Sequence, residues 1–476
     1  MKLLPAGLFF VQLAAFLPAC SLAPVYVRPD SRLPNAAPAS WTRNGSALEA
    51  AENDGWWAGF NSRALVLLQR EARAQNRDFA ASGRRLAQAI AQSKEARASL
   101  FPWIGAEGAV SRAGSHPGST GAFALTDAVS GGFQASYELD LWGRVRSQAE
   151  SAAFAAEATL NDWRGIGLSL ESDTAIAYFQ LLALRERLAL QRDILSAARQ
   201  TLAYMEKQQR AGAATRLDLA RQRGDVASMH ARAQDLARQE QAAKNALNNL
   251  LGAASAPEDL DRLMSSESIT ILTPPAVVAG LPSSLLFRRP DILAAEASLK
   301  AANADIGPAR AAFLPLVNLT AQGGWQSDEF HSLFRPDSTL YALVSSLVTP
   351  IFQGGRLAAR HEAALARREE LVARYQQAAL FAFLETDTAI AANTFLLQEE
   401  EKRGLAEQEA REAYRLVRVQ YREGSADFLS LLDAQRTLLT AQDARVTVSL
   451  ARLNAAVSLF KALGGGWGER MPSGPE

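Results

Sequence analysis

The 476-residue chain has a single cysteine, Cys20, so no internal disulfide can staple it. Its four histidines, His116, His230, His331 and His361, are scattered. No His-Glu metal spacing, glycine-rich phosphate loop or nucleophile elbow accompanies them, so catalysis and a metal relay are not expected. Neither sign of charge dominates: 50 basic residues balance 50 acidic ones. The basic excess that grips nucleic acid is therefore missing. Past the N-terminus no apolar run of about 20 residues stands out, so a membrane would have to be crossed by strands. Hydrophobic residues are nonetheless 48% of the chain and charged ones 21%, which excludes wholesale disorder.

The N-terminus looks like an export signal, with Lys2 ahead of the mostly apolar run Leu3 to Leu17. Leu17-Pro18-Ala19-Cys20 resembles a bacterial lipobox, with Pro18 an unusual member. That reading makes residues 1–19 a signal peptide, Cys20 the lipidation site and its covalent lipid the only attached group. The alternative is a plain secretory leader with an incidental cysteine. Several acyl chains on Cys20 would anchor stably where one binds marginally. Ser21, not an acidic residue, follows and in lipoproteins implies sorting to the outer membrane.

The chain also repeats itself. Glu95 to Pro102 aligns with Pro308 to Pro315, and Gly143-Arg144-Val145 with Gly355-Arg356-Leu357. Gly212 aligns with Gly424, and Leu251-Gly252 with Leu463-Gly464, all at an offset of 212 or 213. A register held across strands, turns and helix ends indicates a duplicated domain-sized unit. The reading assigns residues 20–55 to an N-terminal extension and 56–266 to the first repeat. Residues 267–290 form a linker, 291–464 the second repeat and 465–476 the tail.

Each repeat predicts a helix ending near Pro102 or Pro315, then a β-hairpin, about 103–141 and 315–352. Phe133 to Leu141 alternates strictly, with Phe133, Ala135, Tyr137, Leu139 and Leu141 on one face. Val317, Leu319, Ala321, Gly323 and Trp325 alternate likewise. Loops rich in Gly, Pro, Ser and Asp are expected at about 112–126 and 326–338. Strands of about 9–11 residues with one apolar and one polar face suit a transmembrane barrel with a wet lumen. Ordinary hairpins on a soluble core are the alternative. Trp103, Trp142, Trp325, Tyr341 and Phe352 sit where an aromatic girdle would, though core packing also explains them. One chain offers too few strands to close a barrel; three chains would supply about twelve, enough for an open pore.

A proline-free stretch from Gly143 to about Gln209 follows the first hairpin, a helix of roughly 100 Å at about 1.5 Å per residue. Ile176, Phe179, Ala183, Leu190, Ile194 and Ala197 form a coiled-coil seam. Leu219, Val226, Met229, Ala233, Leu236, Ala243, Leu247 and Leu250 continue it beyond Gly212. Gly212 and Gly424 mark reversals between antiparallel helices. The fold class is thus mixed α and β, with long antiparallel coiled-coil helices and two β-hairpins per chain.

These residues resemble the TolC-like outer-membrane factors, in the lipid-anchored branch that serves resistance–nodulation–division pumps. The likeness is carried by Cys20 to Tyr26, Trp56 to Phe60, Leu281 to Asp291 with Ala301 to Gly307, Tyr421 to Gly424, Phe428 to Arg436 and Ala462 to Trp467. It implies a homotrimer whose twelve-stranded barrel lies in the bacterial outer membrane and whose helical tunnel extends into the periplasm. It also implies two partners, a periplasmic adaptor and an inner-membrane pump. Segments around 254–290 and 464–476 would form a belt. The duct would pass small molecules without consuming energy; an exit duct for type I protein secretion is the alternative.

The resemblance further places a periplasmic gate at the helical-hairpin tips. Tyr421 matches a lock tyrosine, Asp218 its partner aspartate, and Asp433 an aspartate at the same constriction. The family's basic lock position falls on Ala426, and Arg422 is the nearby substitute. Each gate residue has a plainer reading. Thr215-Arg-Leu-Asp218 is a capping box, Asp427 is a candidate helix cap, Asp433 fits a solvated helix surface and Tyr421 fits packing.

Overall fold

A computed structural model describes residues 21–30, 55–115, 123–212, 214–255, 257–275 and 287–465. The signal segment, Cys20, Leu281 to Leu286 and Trp467 lie outside the described residues. In order, the elements are α1 (Arg63–Gln75), α2 (Arg77–Ala98), β1 (Trp103–Ser115), β2 (Ala124–Glu138), α3 (Arg144–Arg210) and α4 (Arg216–Leu250). Then come α5 (Leu260–Met264), α6 (Pro290–Ala311), β3 (Leu316–Ser327), β4 (Thr339–Val348), α7 (Arg356–Arg422) and α8 (Phe428–Ala462).

The duplication is visible in the helix bounds. α3 and α7 each have 67 residues, α4 and α8 each have 35, and all four starts and ends repeat at 212. The turn glycines supply the left-handed conformation that lets each long helix reverse: φ is 79° at Gly212 and 76° at Gly424.

Packing divides the chain into two units, each taking pieces from both repeats. One comprises the described residues within 1–30, 86–160 and 294–376; the other comprises those within 31–85, 161–293 and 377–476.

The first unit holds a four-stranded antiparallel sheet in the order β1-β2-β3-β4. The two hairpins are joined directly through β2 and β3, from Val129 opposite Ser327 to Glu138 opposite Asn318. Register puts Val110, Phe133, Leu319 and Leu343 on one face and Glu107, Gln134, Thr320 and Gln322 on the other. The β2–β3 approach is close: a Cβ on Gly324 would come within 2.4 Å of the Gly131 carbonyl oxygen. β1 and β4 are edges, and every residue of β4 is exposed.

The strands differ in extent from the sequence reading. β1 runs through Arg112 to Ser115, and β2 resumes at Ala124, so the first loop is shorter than expected. Arg112 faces Asp127 across the strands, Nε 2.5 Å from Oδ1, and this cross-strand pair extends the ladder past the apolar stretch. β2 stops at Glu138 because Asp140 turns away to cap α3, accepting from the backbone N–H groups of Val145 at 3.0 Å and Arg146 at 2.9 Å. β4 stops at Val348, short of Phe352, where Pro350 removes a ladder donor. Trp142 donates its indole N–H to the Pro315 carbonyl at 2.8 Å, which ties the end of one hairpin to the start of the other.

In the same unit, residues 21–30 run antiparallel along one face of α6. Arg28 grips the buried Glu296 at 3.0 and 2.6 Å, and Lys300 sits over the Tyr26 ring. Asn303 donates to the Pro24 carbonyl at 2.6 Å, and Arg310 to the Leu22 carbonyl at 3.1 Å. Positions 296, 300, 303 and 310 recur at helical spacing, so α6 presents one continuous seat to this strap.

The second unit is helical. Trp56, Phe60, Leu65 and Leu68 pack with Tyr178, Phe179, Leu247, Val457 and Phe460, the Trp56 and Phe460 rings stacking at 5.1 Å. The segment after α5 folds back, and Glu267 accepts from Ser62 Oγ at 2.6 Å and from the Tyr178 hydroxyl. Phe179, Ala183, Met229, Ala233, Leu236 and Leu247 of the expected seams are buried. One feature runs against the sequence reading: α7 contains an 18-residue window of mean hydropathy 1.3, only 22% buried. Glu385 and Asp387 interrupt the surrounding run and hide it from a scan for an unbroken apolar segment.

Candidate channel gate

The tips at Gly212 and Gly424 are built from matched turns. Thr215 caps α4: its hydroxyl oxygen accepts from the Asp218 N–H at 3.1 Å, and its O–H donates to Asp218 Oδ2 at 2.6 Å. The cap holds the Asp218 carboxylate against the first turn of α4, half-buried. At the other tip, Ser425 N–H donates to the Gln420 carbonyl at 2.9 Å and Gly424 N–H to Tyr421 at 3.2 Å. This closure leaves Tyr421 at the last turn of α7, its ring 6.3 Å from Phe428.

Tyr421 and Asp218 come together within one chain. Burial pushes the Tyr421 hydroxyl above its ordinary pKa, and the neighbouring Tyr204 and the Asp218 carboxylate push it further. The phenol stays protonated at neutral pH, and among the described residues no hydrogen bond joins it to Asp218, whose Oδ2 accepts from Thr215. Tyr204 is the member that the sequence reading missed. Its repeat counterpart is Leu416, so the duplication gives no cue to it.

Asp433 stands apart. It is exposed on α8 and makes no hydrogen bond or ion pair among the described residues. Arg422 is exposed and likewise unpaired among them, so within one chain it does not take up the role vacated at Ala426. Ala426 N–H instead closes the turn onto the Gln420 carbonyl at 3.3 Å.

Away from the tips, amide side chains inside the seams fix the helices to one another. Gln191 donates to the Met229 carbonyl at 3.0 Å and Gln222 to the Ala198 carbonyl at 2.9 Å. Charged pairs join the two repeats: Arg436 to Asp225 at 2.9 Å, and Arg187 to Asp443 at 2.6 Å. Among the described residues no cluster of three potential metal ligands forms. A cavity of about 350 Å³ in the first unit is lined by Gln148, Asp305, Arg360 and Arg367, with both signs of charge and no nucleophile–base pair.

The outer membrane efflux protein family matches residues 68–253 and 281–465, most of the chain. The chain belongs to this family. Among its relatives is the pyoverdine export outer membrane protein OpmQ of Pseudomonas putida, 34% identical over 99% of both chains. Another is the cation efflux system protein CusC of Escherichia coli, 33% identical over 98% of this chain and 99% of its own. A solved structure of the Neisseria gonorrhoeae MtrE outer membrane channel in its open state superposes with a TM-score of 0.83, at 30% identity, covering 94% of this chain and 99% of that one. The protein is therefore an outer-membrane efflux channel protein of TolC-like fold, in a family of ducts and not of enzymes.

Proposed function

We propose that three copies of this chain close a twelve-stranded barrel in the outer membrane and continue it as a gated periplasmic tunnel. The observation that carries this reading is the four-stranded sheet with two open edges. Leu343, Leu347 and Tyr341 on β4 are 79%, 68% and 89% exposed in the single chain. A long apolar edge strand is a site for pairing with another chain, and only a closed barrel satisfies every backbone group in lipid. Pairing β4 of one copy with β1 of the next supplies that closure. The apolar stretch of α7 fits the same arrangement, since Phe381, Leu384 and Phe395 would face a neighbouring copy.

The apolar sheet face would meet lipid and the polar face the lumen. Cys20 would carry the lipid anchor, delivered to the strap that seats on α6. Asp218, Tyr421 and Asp433 would close the periplasmic end, Asp433 through contacts between copies. An inner-membrane pump of the resistance–nodulation–division type and a periplasmic adaptor would deliver small molecules, which the duct passes passively. The named relatives handle pyoverdine and cations, so the cargo class would be set by the pump. Native mass spectrometry and planar-bilayer recording test the reading together. A trimer with discrete channel steps is expected; a monomer that never conducts would sink it.

A further inference from the structure

On α4, Asp225 and Arg232 stand seven residues apart; on α8, so do Arg436 and Asp443. Arg436 Nη2 lies 2.9 Å from Asp225 Oδ1, and Arg232 Nη2 lies 3.5 Å from Asp443 Oδ2. Each rung joins residues 211 apart (436 − 225 and 443 − 232), so α4 and α8 run parallel and in register along one heptad seam. The polarity alternates, with the acid on α4 at one rung and on α8 at the other. A slip of one heptad would set Asp225 against Asp443, or Arg232 against Arg436, so the charges disfavour a one-heptad slip in either direction.

The two rungs are unequal. Asp443 is held from two helices, because Arg187 on α3 donates to both its oxygens, at 2.6 and 3.1 Å, while Arg232 approaches from α4. Asp225 is 8% exposed, yet among the described residues Oδ1 alone has a partner, and Oδ2 is buried without one. Its partner Arg436 has a side chain 61% exposed, half in water already. A buried carboxylate satisfied on one oxygen only is a weak tie, since parting lets water reach the oxygen that lacks a partner. The weak rung is also the one nearer the tip: Asp225 is seven residues, or about 10 Å of helix, beyond Asp218.

We infer that this graded seam is the hinge of the gate. The Asp225–Arg436 rung parts when the tip opens, and the Asp443–Arg187–Arg232 cluster stays closed as the pivot about which α8 swings from α4. These are positioning residues, and the inference rests on the tip being the gate. The test uses full-length channels in planar bilayers, with Cys20→Ser and a gate-opened background, Asp218→Ala with Tyr421→Phe. Cysteine pairs replace either Asp225 and Arg436 or Arg232 and Asp443, and each pair is bridged by a short bis-methanethiosulfonate linker that reductant releases. Bridging 225 to 436 should return the conductance to the closed level, reversibly; bridging 232 to 443 should leave it open. If both bridges close the channel, or neither does, the hinge is overturned while the gate stands. A background that conducts no better than its parent would overturn the gate reading, and the hinge with it.

Discussion

Thr215 and Asp427, 212 residues apart, cap equivalent helices through different chemistry. The Thr215 hydroxyl accepts from Asp218 N–H at 3.1 Å; the Asp427 carboxylate accepts from Ser430 N–H at 2.7 Å. The backbone need is the same, and the duplication has kept it while the side chain diverged.

This divergence gives the two tips different responses to acid. The Ser430 N–H bond, and then its side chain, hold the Asp427 carboxyl below the usual carboxylate range. Its contribution is present above the unfolded-state value of about 4 and is lost as pH falls through the lower folded value. Asp427→Ala should therefore lower the melting temperature at neutral pH, and the deficit should vanish in strong acid. Thr215→Ala should cost about 1 kcal/mol, and the hydroxyl that accepts from the backbone does not itself titrate. Circular-dichroism melts across pH distinguish the two; a parallel pH profile for both variants would contradict the capping assignment.

The proximity of Asp218 and Tyr421 predicts a shared effect. Replacing both, by Ala and Phe, should raise the resting single-channel conductance by less than the sum of the two single changes, because either change alone already leaves the other residue without its neighbour. Unchanged conductance in the double variant would remove these residues from the closure.

Glu107 predicts ion preference in the barrel. The polar sheet face carries two carboxylates, Glu107 and Glu138, and no basic residue. Glu138 is taken by Arg144, whereas Glu107 is exposed opposite Gly132, with Gly324 beyond. Three copies would repeat an unscreened negative charge around the lumen, which attracts cations. Glu107→Gln should shift the reversal potential in a salt gradient toward neutrality while leaving trimer yield intact. An unmoved reversal potential would place Glu107 outside the conducting path.

The β2–β3 junction predicts a steric contrast. Gly324→Ala would drive a methyl to within 2.4 Å of the Gly131 carbonyl oxygen, whereas a Cβ at Gly323 meets nothing within 4 Å. Gly324→Ala should reduce the yield of folded, heat-resistant oligomer; Gly323→Ala should not. Equal yields would show that the strands can separate locally at no cost.

Much of this architecture is legible in the chain, because glycine and proline punctuate it. Gly143, Gly212, Gly252 and their partners at 355, 424 and 464 carry positive φ, so the helix ends could be placed closely. Strand ends were less legible. Residues read as loop, such as Arg112 and Thr126, still pair across the hairpin, opposite Asp127 and Ala113, and composition does not separate a polar strand end from a turn. Asp218 and Tyr421 were found through motif resemblance, and the structure brings them together. Tyr204 and the Asp225–Arg436 rung were not found, since they depend on which helix faces fall opposite one another after folding. The apolar stretch of α7 escaped notice for a related reason. Its charges lie along the same run in sequence, yet the surrounding side chains remain largely uncovered.

The β2–β3 seam carries a consequence for how a ring is counted. It joins the two repeats inside one chain by the kind of junction that β4 and β1 would otherwise form between strangers. A half-length ancestor with one hairpin would need twice as many copies to enclose the same lumen. Every seam would then be left to chance encounter. In the proposed trimer, fusing two halves would put every second seam within one chain, and it frees the halves to differ, as Thr215 and Asp427 already do.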